Sequence, residues 1–143
     1  MAASNNQRSM SEPACQAQAR SAPLAIALGD PAGIGAEVVL KALADWPDEQ
    51  PQPLLVGCRR WLESCYQDLR HRSVEPLADP ADLSLIDLPL PGAIAPGAAG
   101  AASGEASFHW LSGAVQLVQS GRCRALVTAP IAKHAWHAAG HHY

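Results

Sequence analysis

An apolar run, a glycine-rich turn and an amphipathic stretch follow one another without a gap in Leu24-Ala-Ile-Ala-Leu-Gly-Asp-Pro-Ala-Gly-Ile-Gly-Ala-Glu-Val-Val-Leu-Lys41. Leu24–Leu28 is apolar at every position, the pattern of a strand buried on both faces of a parallel sheet. After Ile34, the residues Val38, Val39, Leu43 and Trp46 recur at helical spacing and predict a helix over Ile34–Ala44, ended by Pro47. A strand that turns on glycines straight into a helix brings backbone N–H groups and a helix N-terminus to one point. Such a point can receive an anionic ligand.

The same alternation runs along the rest of the chain. Leu54–Val56 and Leu83–Leu88 read as strands, and Arg59–Arg72 as a helix with Trp61, Leu62, Cys65, Tyr66 and Leu69 on its apolar side. Pro89–Gly104, rich in Pro, Gly and Ala, reads as a long loop. Glu105–Ser120 reads as a helix with Phe108, Leu111, Val115, Leu117 and Val118 largely on one side. Gly121 suits its C′ position. Ala125–Val127 is a fourth strand, and Ile131–Ala139 a short helix stopped by Gly140. Strands alternating with helices imply right-handed βαβ units, so the expected class is α/β, a mainly parallel sheet with flanking helices. Ligands in such sheets gather where strands end and loops enter helices. Two loops qualify, Gly29–Gly35 and Thr128–Lys133.

Composition narrows the function classes. Charged residues make up 16% of the 143 residues and the net charge is −3, with neither a basic stripe for nucleic acid nor a long acidic tail. No apolar run approaches the length of a membrane span. Residues 1–22 are polar, lack a secretory h-region, and read as a disordered leader, with a transit peptide as the alternative. Residues 23–143 read as part of one α/β domain. Cys15, Cys58, Cys65 and Cys123 form no C-x-x-C pair and match no zinc module. Cys58 and Cys65, seven apart on the expected helix, share a face but lie too far apart for a disulfide. Reduced, packing cysteines are expected.

The glycine turn Gly29-Asp-Pro-Ala-Gly-Ile-Gly35 is neither a G-x-G-x-x-G fingerprint nor a Walker A loop. Gly33 and Gly35 permit close backbone approach. Asp30 can cap the helix, bind a ligand hydroxyl or orient a catalytic group, and a tight structural turn accounts for the same residues. In Thr128-Ala-Pro-Ile-Ala-Lys133, Pro130 fits a helix first turn. Lys133, close to the strand end, can neutralise a phosphate or carboxylate or serve as a solvated surface charge. His134, His137, His141 and His142 have spacings that a continuous helix would put on one side. Gly140 interrupts that helix, and the sequence shows no carboxylate or cysteine beside them. No metal site is therefore expected in this chain.

Both blocks resemble the 4-hydroxythreonine-4-phosphate dehydrogenase family of pyridoxal phosphate biosynthesis. Leu28-Gly-Asp-Pro-Ala-Gly-Ile-Gly-Ala-Glu-Val-Val-Leu-Lys-Ala-Leu43 looks like its N-terminal signature, with Ala36 where the family usually has Pro. Leu126-Val-Thr-Ala-Pro-Ile-Ala-Lys133, followed by Ala139-Gly-His141, looks like its second block. The resemblance covers roughly residues 23–143. It implies a fold similar to that of isocitrate and isopropylmalate dehydrogenases. It also implies an NAD-dependent oxidation of 4-phosphooxy-L-threonine with loss of CO₂, assisted by a divalent metal (Zn, Mg or Co), in a cytoplasmic homodimer. The family's metal-binding histidines, substrate-contacting pair and most NAD contacts fall in segments without a counterpart here. The expectation is therefore an N-terminal part of such an enzyme, inactive on its own. Asp30, Gly33, Gly35, Thr128 and Lys133 are the candidate substrate and active-site loop residues that the resemblance implies. The alternatives are a dehydrogenase of a related phosphorylated hydroxy acid, a stand-alone anion- or nucleotide-binding module, and a non-catalytic remnant.

Overall fold

The computed structural model describes residues 21–142. The expected leader, except for its last two residues, and Cys15 lie outside them. Four parallel strands form one sheet: β1 (Leu24–Ala27), β2 (Leu54–Gly57), β3 (Leu85–Asp87) and β4 (Ala125–Thr128). Their order across the sheet is β3-β2-β1-β4. The register places Ala25 beside Leu54 and Leu126, and Ala27 beside Val56 and Thr128. Among the described residues four α-helices connect and flank the strands: α1 (Gly35–Ala44), α2 (Arg59–Arg72), α3 (Ala101–Gln119) and α4 (Lys133–Ala138).

This strand order fixes the layers. The steps β1 to β2 and β2 to β3 run one way, and the step from β3 to β4 runs back across β1. Right-handed crossovers then put α1 and α2 on one face and α3 on the other. The α4 helix packs along α3: a Cβ on Gly104 would overlap the Ala135 carbonyl. The core lies between sheet and helices, with Ala25, Ala27, Leu28, Leu40, Leu55, Val56 and Leu62 fully buried. Trp110 is its largest fully buried side chain. Its ring lies 5.4 Å from that of Trp61, and its Nε1 donates to the Leu88 carbonyl at 3.0 Å.

Several boundaries and faces differ from the sequence reading for local reasons. Ile34 is the N-cap residue of α1, not its first residue. Val38 is exposed, while Val39, Leu40 and Leu43 form the buried stripe with Gly35 and Ala36. The Leu83–Leu88 strand shrinks to Leu85–Asp87, because Asp79 Oδ1 accepts from the Ala81 N–H and caps a 3₁₀ turn at Pro80–Asp82. The α3 helix begins at Ala101 instead of Glu105. There the Ser103 hydroxyl accepts from the Gly100 N–H and donates to its carbonyl, closing the first turn. Its buried face is Ser103, Ala106, Ser107, Trp110, Ala114 and Leu117, with Phe108, Leu111, Val115 and Val118 only half-buried. Gly121 follows α3 with φ +75°, as a C′ glycine should. Cys58 caps α2 from outside the helix instead of sharing a helical face with Cys65. Cys58, Cys65 and Cys123 are free thiols, and burial pushes the Cys65 thiol up to about 11.

Candidate active-site crevice

Strand order reverses between β1 and β4, and in open α/β sheets ligands bind in the crevice outside such a reversal. The loops leaving these two strands are the two that the sequence singles out. They are in direct contact: the Asp30 N–H donates to the Pro130 carbonyl at 2.9 Å. A third segment joins them, the loop before α3, whose Gly97 N–H donates to the Ala32 carbonyl at 2.7 Å. Gly29 has φ +75°, a conformation that side chains disfavour, and a Cβ there would strike Pro130. Gly35 carries no Cβ because one would overlap the Leu28 carbonyl, so α1 begins hard against the end of β1. Gly33 closes the turn by donating its N–H to the Asp30 carbonyl at 2.9 Å.

Asp30 is the least ordinary residue of this loop, with only 3% of its surface exposed. It does not cap α1, whose N-cap makes no side-chain hydrogen bond. Its Oδ1 accepts instead from the Ala32 N–H at 2.8 Å, and its Oδ2 is buried without a protein partner. Unsatisfied buried oxygens are rare, and functional sites are among the places that retain them. Asp30→Ala is expected to cost about 1–2 kcal/mol by stranding the Ala32 N–H. Asp30→Asn keeps that acceptor and should cost less than Asp30→Ala. Thermal or urea unfolding of the two variants checks the difference.

The second loop is more open. Thr128 ends β4 with its hydroxyl donating to the Ala129 carbonyl at 2.9 Å. Pro130 does not enter the helix, because α4 begins three residues later at Lys133. Its carbonyl serves the Asp30 contact instead. Lys133 is exposed at the first position of α4. The two loops thus meet at the strand reversal, with Asp30 and Gly35 buried and Gly33, Thr128 and Lys133 exposed.

The histidines part company. His141 stacks on Phe108 with ring centroids 3.6 Å apart, and its Nε2 lies 2.7 Å from Glu105 Oε2. His109 meets the other oxygen of Glu105 at 2.7 Å. Glu105, thirty-six residues before His141, is the neighbouring carboxylate that the sequence reading missed, since only the docking of α4 on α3 brings it near. Even so, the described residues contain no group of three or more metal-ligating side chains placed to hold an ion. The cluster is a clasp. Trp136 adds to it by donating to the Ser107 hydroxyl at 2.8 Å.

Hydrogen bonds from His141 and then His109 hold the Glu105 carboxyl below its ordinary value of 4.5. A depressed folded-state value means that the unfolded chain binds the proton more readily. The clasp's contribution is then present above about pH 4.5 and lost as pH falls through the lowered value. Glu105→Gln should lower stability slightly at neutral pH, where the contribution is present, and flatten the acid limb, where it is already lost. Urea midpoints across that range test it.

Comparison with known proteins gives the family and the fold. The profile of the family described as "Pyridoxal phosphate biosynthetic protein PdxA" matches residues 49–143. A 4-hydroxythreonine-4-phosphate dehydrogenase from Synechococcus sp. (strain RCC307) is 63% identical over 120 residues, covering 84% of this chain and 36% of that one. A D-threonate 4-phosphate dehydrogenase from Pectobacterium atrosepticum is 34% identical over 131 residues, 84% of this chain and 40% of the relative. The crystal structure of 4-hydroxythreonine-4-phosphate dehydrogenase from Klebsiella pneumoniae superposes with a TM-score of 0.71 at 33% identity, covering 86% of this chain and 41% of that one. The chain therefore spans little more than a third of the length of these relatives. Its parallel sheet, its two loops at the reversal of strand order and its family match lead to one conclusion: the chain belongs to the PdxA family of pyridoxal phosphate biosynthetic proteins.

Proposed function

We propose that this chain supplies the α/β portion of an NAD-dependent dehydrogenase. In this reading the complete enzyme oxidises the secondary alcohol of 4-phosphooxy-L-threonine and releases CO₂ to give 3-amino-2-oxopropyl phosphate, in pyridoxal phosphate biosynthesis. The contact of the Gly29–Gly35 and Thr128–Lys133 loops at the strand reversal carries the reading. The start of α1 lies beside it, and the relative from Synechococcus sp. (strain RCC307), which is similar over this stretch, is named for that substrate. Lys133 is assigned to the substrate's anionic groups, and the Asp30 carboxylate to holding the loop that faces them.

The divalent ion (Zn, Mg or Co) finds no shell among the described residues. NAD finds no dinucleotide fingerprint, and Gly29 is closed against Pro130 by backbone. Both are assigned to the part of the family chain without a counterpart here. NAD, when bound, would accept the hydride from the carbinol carbon. A homodimeric, cytoplasmic enzyme completes the proposal, and no described helix is long and apolar enough to cross a membrane.

A second reading has its own support in the relative named for D-threonate 4-phosphate. The two substrates share the phosphate and the oxidised alcohol and differ at the amino-bearing carbon. NADH formation by this chain combined with the rest of the Synechococcus relative, fed each substrate with a divalent metal, separates the readings. The expected result is a higher kcat/KM for 4-phosphooxy-L-threonine. A preference for D-threonate 4-phosphate would select the second.

A further inference from the structure

The α4 helix is six residues long, too short to hold itself in water, and Ala135 is its one buried residue. Its place is set largely at its C-terminal end, by contacts with the first turns of α3. The chain leaves α4 through Gly140 at φ +89°. The Gly140 and His141 N–H groups donate to the His137 and Trp136 carbonyls at 3.0 and 2.9 Å, which closes a Schellman motif. That turn carries the His141 ring back to α3. There it lies 3.6 Å from the Phe108 ring at an interplanar angle of 11°, and its Nε2 meets Glu105. The Trp136 ring meets the same Phe108 ring edge-on at 5.5 Å. His141 keeps 22% of its side chain exposed, so this clasp lies at the surface, apart from the core around Trp110.

Lys133 stands at the other end of α4. It makes no ion pair among the described residues, whereas Lys41, the other lysine of the chain, bridges Glu37 and Glu75. Its placement therefore depends on the backbone that carries it. That backbone is tied on one side by the Pro130 carbonyl, which accepts from Asp30, and on the other by α4. The Ala132 carbonyl accepts from the Ala135 and Trp136 N–H groups at 3.0 and 3.2 Å, so the helix and the loop move together. We infer that His141 is a positioning residue: pinned to Glu105 and Phe108, it holds α4 so that the Thr128–Lys133 loop stays against Asp30 and Lys133 keeps a fixed place at the strand reversal. Groups that bind substrate need such support from neighbours locked by packing and hydrogen bonds. The inference rests on the proposed function only for what Lys133 binds.

Amide hydrogen exchange of the chain, compared with His141→Ala and His141→Phe, tests it. The Asp30 N–H is the probe, because it is held by Pro130 and Asp30 makes no hydrogen bond to α3 or α4. His141→Ala should speed its exchange at least about three-fold. The Leu62 N–H, bonded to the Cys58 carbonyl in α2, should exchange as in the parent. His141→Phe keeps a ring against Phe108 and should recover part of the protection. Faster exchange confined to α4, with Asp30 unchanged, would make the clasp a local anchor only and overturn the inference. Equal acceleration at Asp30 and Leu62 would mean a general loss of stability and overturn it as well. In the combined enzyme described above, His141→Ala should raise KM for 4-phosphooxy-L-threonine about three-fold or more, and an unchanged KM also overturns the inference. A combined enzyme that makes no NADH even with the parent chain counts against the proposed function alone, and the exchange of Asp30 then decides the role of His141.

Discussion

Trp110→Ala is expected to lower stability by about 3–5 kcal/mol, which approaches the whole stability of a domain this size. Trp110 is 1% exposed and sits where α3 crosses the sheet. Its removal takes away the packing partner of Trp61, 5.4 Å away, and leaves a cavity that the surrounding backbone cannot fill. It also strands the Leu88 carbonyl, to which the indole N–H donates. Trp110→Phe restores most of the volume but not that hydrogen bond, and should recover more than half of the loss. Urea denaturation, followed by circular dichroism, measures both. A loss below about 1 kcal/mol for Trp110→Ala would mean that α3 does not pack as described.

Gly35→Ala is the second large effect. The added methyl would overlap the carbonyl oxygen of Leu28 and press on the Ala129 side chain. Neither neighbour is a flexible side-chain end, so the start of α1 must move away from β1. Overpacking of this kind costs about 1–3 kcal/mol, and more where backbone blocks the way. The expected loss is therefore at the top of that range or above. Because Ala129 belongs to the facing loop, the Asp30–Pro130 contact should loosen with it. Gly92→Ala provides the control, since nothing lies within 4 Å of a Cβ at that glycine. Loss of stability in Gly35→Ala without loss in Gly92→Ala, read by thermal unfolding, is the expected outcome.

The alternating elements were legible because their signals are local. Leu24–Leu28 is apolar throughout, and Gly121 ends a long amphipathic run. Both features depend on residues adjacent in the chain. The two crevice loops were legible for the same reason, since a glycine turn between strand and helix is a short-range pattern. What could not be read was which residues meet across the fold. Glu105 pairs with His141 only because Gly104 lets α4 approach α3 closely. Asp30 failed as a helix cap because the Pro31–Gly33 turn carries it past the N-terminus of α1 and hands its Oδ1 to Ala32. The exposure of Val38 followed from the rotation of α1, which buries Gly35 and Ala36 as part of its apolar stripe. Periodicity alone favoured the larger side chain.

Amide hydrogen exchange of the reconstituted protein, with and without 4-phosphooxy-L-threonine, tests the crevice directly. Slower exchange is expected in both the Gly29–Gly35 and Thr128–Lys133 segments on addition of substrate, because the two loops touch through Asp30 and Pro130. Protection confined to other segments, or to only one of the two loops, would contradict it.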